Sequence, residues 1–401
     1  MTGAFETQRN PSVKIKDFSY QPETGFSIDP LPPLDSPGTV VFVFGSPEYI
    51  DAPAPLEALR RAYPASLLIG CSTSGEILGQ DIHDHSLVVS VVKLESSRAK
   101  LVYASIASAE ESGQAGERLA KDLLAPDLRG VFVLSDGLKV NGTELAEGIN
   151  KSLPAGVRVS GGLAGDGSRF EKTWILQDGR PVSGVVAALG LYGDALQIGH
   201  GSRGGWDIFG PERKVTRSKG NVLYELDGKP ALALYKEYLG HRAAELPSSA
   251  LLFPLSLRAD AHSPKSVVRT ILGISEADQS MTFASDIPQG YLAQLMRANF
   301  DRLINGAAES AVMSSDGWTA VGAGQDEASP LLAIAISCVG RRLVLGLRAE
   351  EETEASLNSF PAATRQIGFY SYGELSPTSP SASCELHNQT MTFTTLRERT
   401  Q

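Results

Sequence analysis

The first long apolar run in the chain is Val40-Val41-Phe42-Val43-Phe44. A run without polar alternation suits a strand covered on both faces. The pattern then changes to a helical period over about Ala54–Tyr63, with Leu56 and Leu59 on one face and Arg60 and Arg61 on another. A glycine-rich turn ending in an acid follows, Gly70-Cys71-Ser72-Thr73-Ser74-Gly75-Glu76, and then a second apolar strand, Leu87–Leu94. Further along, the same order returns. Val131-Phe132-Val133 corresponds to Val41-Phe42-Val43, Pro154-Ala155 to Pro64-Ala65, and Gly165-Asp166 to Gly75-Glu76. A looser third copy has its strand at Leu332–Ile336, its helix at Glu350–Phe360 and its turn at Gly368–Glu374. Repetition of strand, helix, turn and strand predicts an α/β (mixed α+β) fold, with mixed sheets covered by helices.

Outside the copies the pattern is weaker. Residues 1–38 hold six prolines and no sustained period, and read as an irregular lead-in. Ala231–Leu239 reads as a helix closed by Gly240, and Phe300–Met313 as an amphipathic helix. Leu251–Leu257, Val267–Ile274, Met281–Ala284 and Tyr291–Met296 read as strands. Ala243–Ser249 is the best place for a domain boundary, because 401 residues exceed what a single core usually spans.

Composition narrows the classes of partner. A formal net charge of -10 disfavours nucleic acid and anionic membranes. No apolar run reaches the roughly 20 residues of a membrane span. Three cysteines, Cys71, Cys338 and Cys384, form no CxxC pair, which fits a reducing compartment. A cytoplasmic protein is expected.

The polar residues cluster where the apolar strands end: Gly45-Ser46, Ser135-Asp136-Gly137 and Ser337-Cys338-Val339-Gly340-Arg341. Carboxyl ends of strands in open α/β sheets are where ligands bind. Glu76, Asp166 and Glu374 stand at equivalent positions, either to hold a ligand ammonium or to cap nearby backbone N–H groups. Cys71 is either a nucleophile or a small buried residue, and no histidine lies near it in sequence. Arg341 would clamp a ligand carboxylate or pair with an internal acid. Tyr370 and Tyr372 would present both hydroxyls on one strand face. His83-x-His85 is a metal pair or a solvated loop, and His387 a ligand contact or a hydrogen-bonded anchor. No P-loop, dinucleotide fingerprint, HExxH or CxxCH occurs, so no enzyme activity is expected.

Six passages together resemble the FIST sensory proteins. Ile69–Ile77, Leu134–Leu138 and Gly161–Gly167 are similar to FIST N, and Ser337–Arg341, Gly368–Leu375 and Leu386–Thr390 to FIST C. The resemblance implies a FIST N-like domain over 39–225 with two internal repeats, and a FIST C-like domain over 226–401 with the third. It implies a small-ligand sensor of bacterial signal transduction, binding amino acids or related metabolites. No output module is expected within the matched stretch, so a separate partner such as a histidine kinase would receive the signal. It also leaves open a haem-based nitric oxide sensor with His387 on the iron; otherwise no cofactor and no metal are expected. An unrecognised enzyme or a scaffold is the remaining alternative. The expected ligand-binding residues are Cys71, Ser72, Thr73, Glu76, Asp136, Asp166, Arg341, Tyr370, Tyr372, Glu374, His387 and Asn388.

Overall fold

Each repeat rests on two parallel strands: Thr39–Gly45 beside Leu67–Ser72, Leu128–Ser135 beside Arg158–Leu163, and Leu331–Cys338 beside Thr364–Ser371. These pairs come from a computed structural model that describes residues 13–246, 248–263, 266–315, 330–379 and 382–399. A closing strand returns antiparallel beside the first of each pair, at Leu87–Lys93, Val185–Tyr192 and Met391–Glu398. The fold is mixed α/β, as the repeated pattern predicts.

An opening strand adds a further member to each sheet: Lys14–Gln21, Arg98–Ser105 and Leu196–Arg203. Lys14–Gln21 corrects the reading of residues 1–38 as irregular. Its sequence KIKDFSYQ buries only Ile15 and Phe18, so its hydrophobic signal is too sparse to register before its partner strand is known.

The turn of each repeat leads into a short hairpin, and none of the three hairpins joins its own sheet. Glu76–Leu78 of the first repeat pairs with Thr364–Ser371 of the third. Ile175–Gln177 of the second pairs with the first repeat's Leu67–Ser72, and Gly373–Pro377 of the third with the second repeat's Arg158–Leu163. The exchange is cyclic, and it ties the sequence domains together through shared sheets. Leu196–Arg203, which precedes residue 226, lies beside Met391–Glu398 as the opening strand of the third repeat's sheet.

The three sheets turn one face to a common core. Phe42 packs edge-on against Phe132 at 5.8 Å between centroids, and Phe44 meets Phe369 at 4.7 Å. The helices Ala54–Ala62, Gly142–Ser152 and Ala349–Asn358 cover the outer faces. Ser112–Leu123 and Phe300–Ser315 add a second helix to the latter two. In all three repeats the glycine at the middle of the second parallel strand stands opposite the first strand at the same register. A Cβ on Gly70, Gly161 or Gly368 would lie 2.0, 1.8 or 1.9 Å from the carbonyl oxygen of Val43, Val133 or Ala335. Only glycine permits that approach.

Between the opening strand and the helix of the third repeat, residues 207–297 form an inserted eight-stranded sheet with its own core. Its strands Asp207–Lys219 and Leu292–Arg297 pair across the whole insertion, so Ala243–Ser249 falls inside one unit and is not a seam. The strand expected over Leu251–Leu257 begins only at Leu255, after Pro254, because proline lacks the N–H a ladder needs. The one expected over Val267–Ile274 splits at Thr270 into Val267–Arg269 and Ile271–Ser275, which pair with different strands.

Candidate functional site

The three acids that close the turns do not share an environment. Glu76 accepts from the Thr73 hydroxyl, from the Ser86 amide at 3.2 Å and from the Ser86 hydroxyl at 2.7 Å. Glu374 repeats that arrangement with Ser371 Oγ at 2.6 Å, Thr390 N at 3.2 Å and Thr390 Oγ1 at 2.9 Å. Burial pushes both carboxyls up to about 8, against the pull of these hydrogen bonds. Asp166 accepts from the Phe170, Glu171 and Lys172 amides at 2.8–2.9 Å and from the Tyr372 hydroxyl. Burial opposes ionisation there too, but the Tyr372 hydroxyl and the three amides outweigh it and hold the carboxyl below its ordinary value. Two acids are sealed inside the protein, and the third is wired to a tyrosine.

Across the strand ends of the first repeat lies Trp174, which is fully buried. Its Nε1 donates to the Ser46 carbonyl at 3.2 Å and its amide to Ser72 Oγ at 3.0 Å. Cys71, Ser72, Thr73 and Glu76 therefore sit inside packed structure. Burial, and then the nearby Glu76, push the Cys71 thiol well above its usual range.

Arg341 forms an internal knot. Its Nε and Nη2 reach Glu352 Oε2 at 3.0 and 2.7 Å, and its remaining hydrogens go to the Gly204, Gln389 and Leu303 carbonyls. The other oxygen of Glu352 accepts from Ser337 and Tyr370 hydroxyls, both at 2.9 Å. All five guanidinium hydrogens are used, so none is left to clamp a ligand carboxylate. The hydroxyls of Tyr370 and Tyr372 also part company: the first points into this knot and the second towards Asp166.

The strand ends of the second and third repeats open instead into a cavity of about 640 Å³, roofed by the inserted sheet. Gly137 and Leu138 line it from the second repeat, Cys338, Gly340 and Tyr372 from the third, and Thr270 and Asp286 from the insertion. Phe170 stacks on Tyr372 at 4.4 Å and 14°. Asn141 caps the Gly142–Ser152 helix through its Oδ1 and directs its Nδ2 to Asp286 at 3.4 Å. Asn388 accepts from Ser285 Oγ at 3.0 Å. The Thr270 hydroxyl is buried without a hydrogen-bond partner. Asp286 is the one formally charged side chain among the described lining residues.

Of the residues expected at the site, the structure brings Tyr372 and Asn388 to the cavity wall, with Asp166 directly behind Tyr372. Asp136 stands one residue outside, holding the Leu138, Lys139 and Gly184 amides at 2.8–2.9 Å. His387 is buried with Nε2 2.9 Å from the Ser376 carbonyl, and no histidine is among the described lining residues. A haem would need cations for its propionates, and the described lining residues include no lysine, arginine or histidine. His83 and His85 end a hairpin at the surface, with His85 Nδ1 3.9 Å from Glu48. No group of three or more metal-binding side chains occurs among the described residues. Asp286, Asn221 and Thr270 had no signal in the sequence, because they come from the insertion. Asn141 did, as the cap in Asn-Gly-Thr-Glu before a helix.

Fold and site thus define a protein of three interleaved α/β repeats with a walled cavity at their strand ends. Residues 39–229 match the FIST N domain and residues 231–377 the FIST C domain, and the chain belongs to the FIST family. FIST domains are associated with sensory signal transduction. An uncharacterized protein of Methanocaldococcus jannaschii is 28% identical over 202 residues, which cover 46% of this chain and 37% of the relative. The chain thus matches little more than a third of that relative's length. Among the described residues no helix is long and apolar enough to cross a membrane.

Proposed function

We propose that this protein is a sensory ligand-binding protein that takes an amino-bearing small metabolite, an amino acid foremost, in the 640 Å³ cavity. The observation that carries this reading is Asp286, a lone carboxylate in a wall otherwise of neutral polar and apolar groups. Such a wall favours an ammonium and disfavours polyanions. The start of the Gly142–Ser152 helix lines the same space and would face the carboxylate of an amino acid. Leu138, Val140 and Leu343 would take its side chain.

The cavity lies between the repeats and the insertion, so a ligand would bias how the two pack. A separate partner, such as a histidine kinase in the cytoplasm, would read that change. This reading contains no catalytic step and no haem. The sealed surroundings of Cys71 and the bonded Nε2 of His387 support it.

The test is a thermal-shift series with free amino acids, primary amines and their N-acetylated forms. A ligand at about 100 times its Kd stabilises by ~2.7 kcal/mol, a rise of several degrees. Free amines should raise the Tm, N-acetylated forms should not, and Asp286→Asn should abolish the difference. Absence of any shift at millimolar concentration would sink the reading, and a Soret band in the purified protein would replace it with haem binding.

A further inference from the structure

A second cavity, of about 500 Å³, lies beyond the Val267–Arg269 strand, between it, the Gly142–Ser152 helix and the Cys384–His387 strand. Arg269 lines it and is only 7% exposed. Its Nε donates to the Asp286 carbonyl at 3.2 Å, and its Nη1 to the carbonyls of Val268 and Leu386 at 3.1 and 3.5 Å. Among the described residues its Nη2 has no hydrogen-bond partner, and no carboxylate stands within ion-pairing distance of the guanidinium. The contrast with Arg341 is direct: that fully buried arginine has a carboxylate and uses every hydrogen. An unpaired buried cation costs stability, so its retention needs a reason. Burial holds Arg269 down at about 10, against the pull of Asp286 and Tyr291 nearby.

A second partnerless group lines the same space. Thr143 Oγ1 is buried and unbonded, in the first turn of an 11-residue helix. The lining also sets the charge a ligand can carry. Arg258 is already held by Glu212, and Glu147 belongs to the wall, so a multiply charged anion would be disfavoured. Leu257, Val267 and Pro288 form the apolar remainder.

We propose that this cavity is a second, separate site for a small monocarboxylate, held by Arg269 Nη2 and the Thr143 hydroxyl with its body against the apolar wall. Neither residue lines the first cavity, though Arg269 Nε is bonded to the Asp286 carbonyl, so each site is tested with its own ligand.

Calorimetric titration with sodium benzoate, in low-salt buffer free of carboxylates, tests it. Benzamide is the neutral isostere, and inorganic phosphate the competing anion. Benzoate should bind at least ten times tighter than either, because hydrogen bonds to charged groups contribute ~1.5–3 kcal/mol. Arg269→Met should abolish binding in a variant that stays folded by circular dichroism. Thr143→Val, on a partly exposed residue, should weaken benzoate about tenfold. Where Arg269→Met fails to fold, that failure itself assigns Arg269 a structural role and overturns the proposal. Equal affinity for benzamide, preference for phosphate, no heat with the wild type, or undiminished heat in either variant would each do the same. Because amino-acid stabilisation at the first cavity is measured separately, its presence or loss does not enter this outcome.

Discussion

The strand ends of the first repeat and those of the second and third are built on the same local pattern and come to opposite ends. In the first, Trp174 lies across Ser46 and Ser72 and packs with Val41, Val43 and Leu56. In the other two, the space is roofed by residues 220–221, 270–272 and 284–286 of the insertion and stays open. Trp174 belongs to the second repeat but reaches the first because the hairpin that follows it is exchanged. A glycine-acid turn marks a strand end; whether that end is a ligand site depends on what the neighbouring repeat lays over it.

The largest effects should come from breaking the sealed structure, first the buried ion pair of the third repeat and then the plug of the first. Arg341→Met leaves Glu352 buried and unpaired, and truncating one partner of such a pair costs ~3–5 kcal/mol. Urea denaturation should show the loss, and Glu352→Gln should soften it by removing the stranded charge. Trp174→Ala is expected to cost about 3–5 kcal/mol as a large-to-small core change, at the upper end only where the surroundings do not collapse. It should also make the first repeat's strand ends resemble the open pair, detectable as new binding of small apolar probes. A destabilisation below about 1 kcal/mol would show that Trp174 is not the plug.

Acid–base behaviour separates the sealed turns from the open one. Glu76 and Glu374 titrate at about 8 in the folded protein, against ordinary values near 4.5. Between those values the folded chain binds more protons than the unfolded one, so stability falls as pH rises. Their contribution is complete below about 4.5 and gone above about 8, on the order of a few kcal/mol for each. Denaturant midpoints should drop from pH 6 to pH 9, and the Glu76→Gln, Glu374→Gln double variant should flatten that slope. Asp166 runs the other way, because its folded-state value is lowered: its contribution is present above its ordinary 3.8 and fades as the pH falls through the folded value. The smallest change is Tyr372→Phe, which removes the hydroxyl from Asp166 and the Gly167 carbonyl at the cavity wall. It should cost about 1–2 kcal/mol and move the acid limb of the pH profile upward.

Much of the fold was legible because it is written in continuous apolar runs. Val40–Phe44, Val131–Val133 and Leu332–Ile336 could hardly be anything but buried strands, and their spacing exposed the repeat. Lys14–Gln21 and Arg98–Ser105 were not legible, since edge strands carry mixed polar patterns. Val339–Leu345 was hidden because its Gly340 and Arg341 read as strand-end chemistry, whereas it is a short helix. At the site, the turns drew attention to Tyr372 and Asn388. Arg341 misled because a lone arginine after a strand looks the same whether its partner is a ligand or Glu352, eleven positions on.

By itself the sequence determined the repeated unit: which runs are buried and where the chain turns. Those are local facts, set by side-chain apolarity and turn chemistry; that only glycine fits at positions 70, 161 and 368 followed from the clearance between adjacent strands. Only the tertiary structure decided which acid is sealed, which arginine lacks a partner and which strand ends stay open. Each of those depends on a group far away in the chain, brought close by the exchanged hairpins and the inserted sheet. Burial, and with it the electrostatics of Glu76, Glu374 and Arg269, exists only once that assembly has formed.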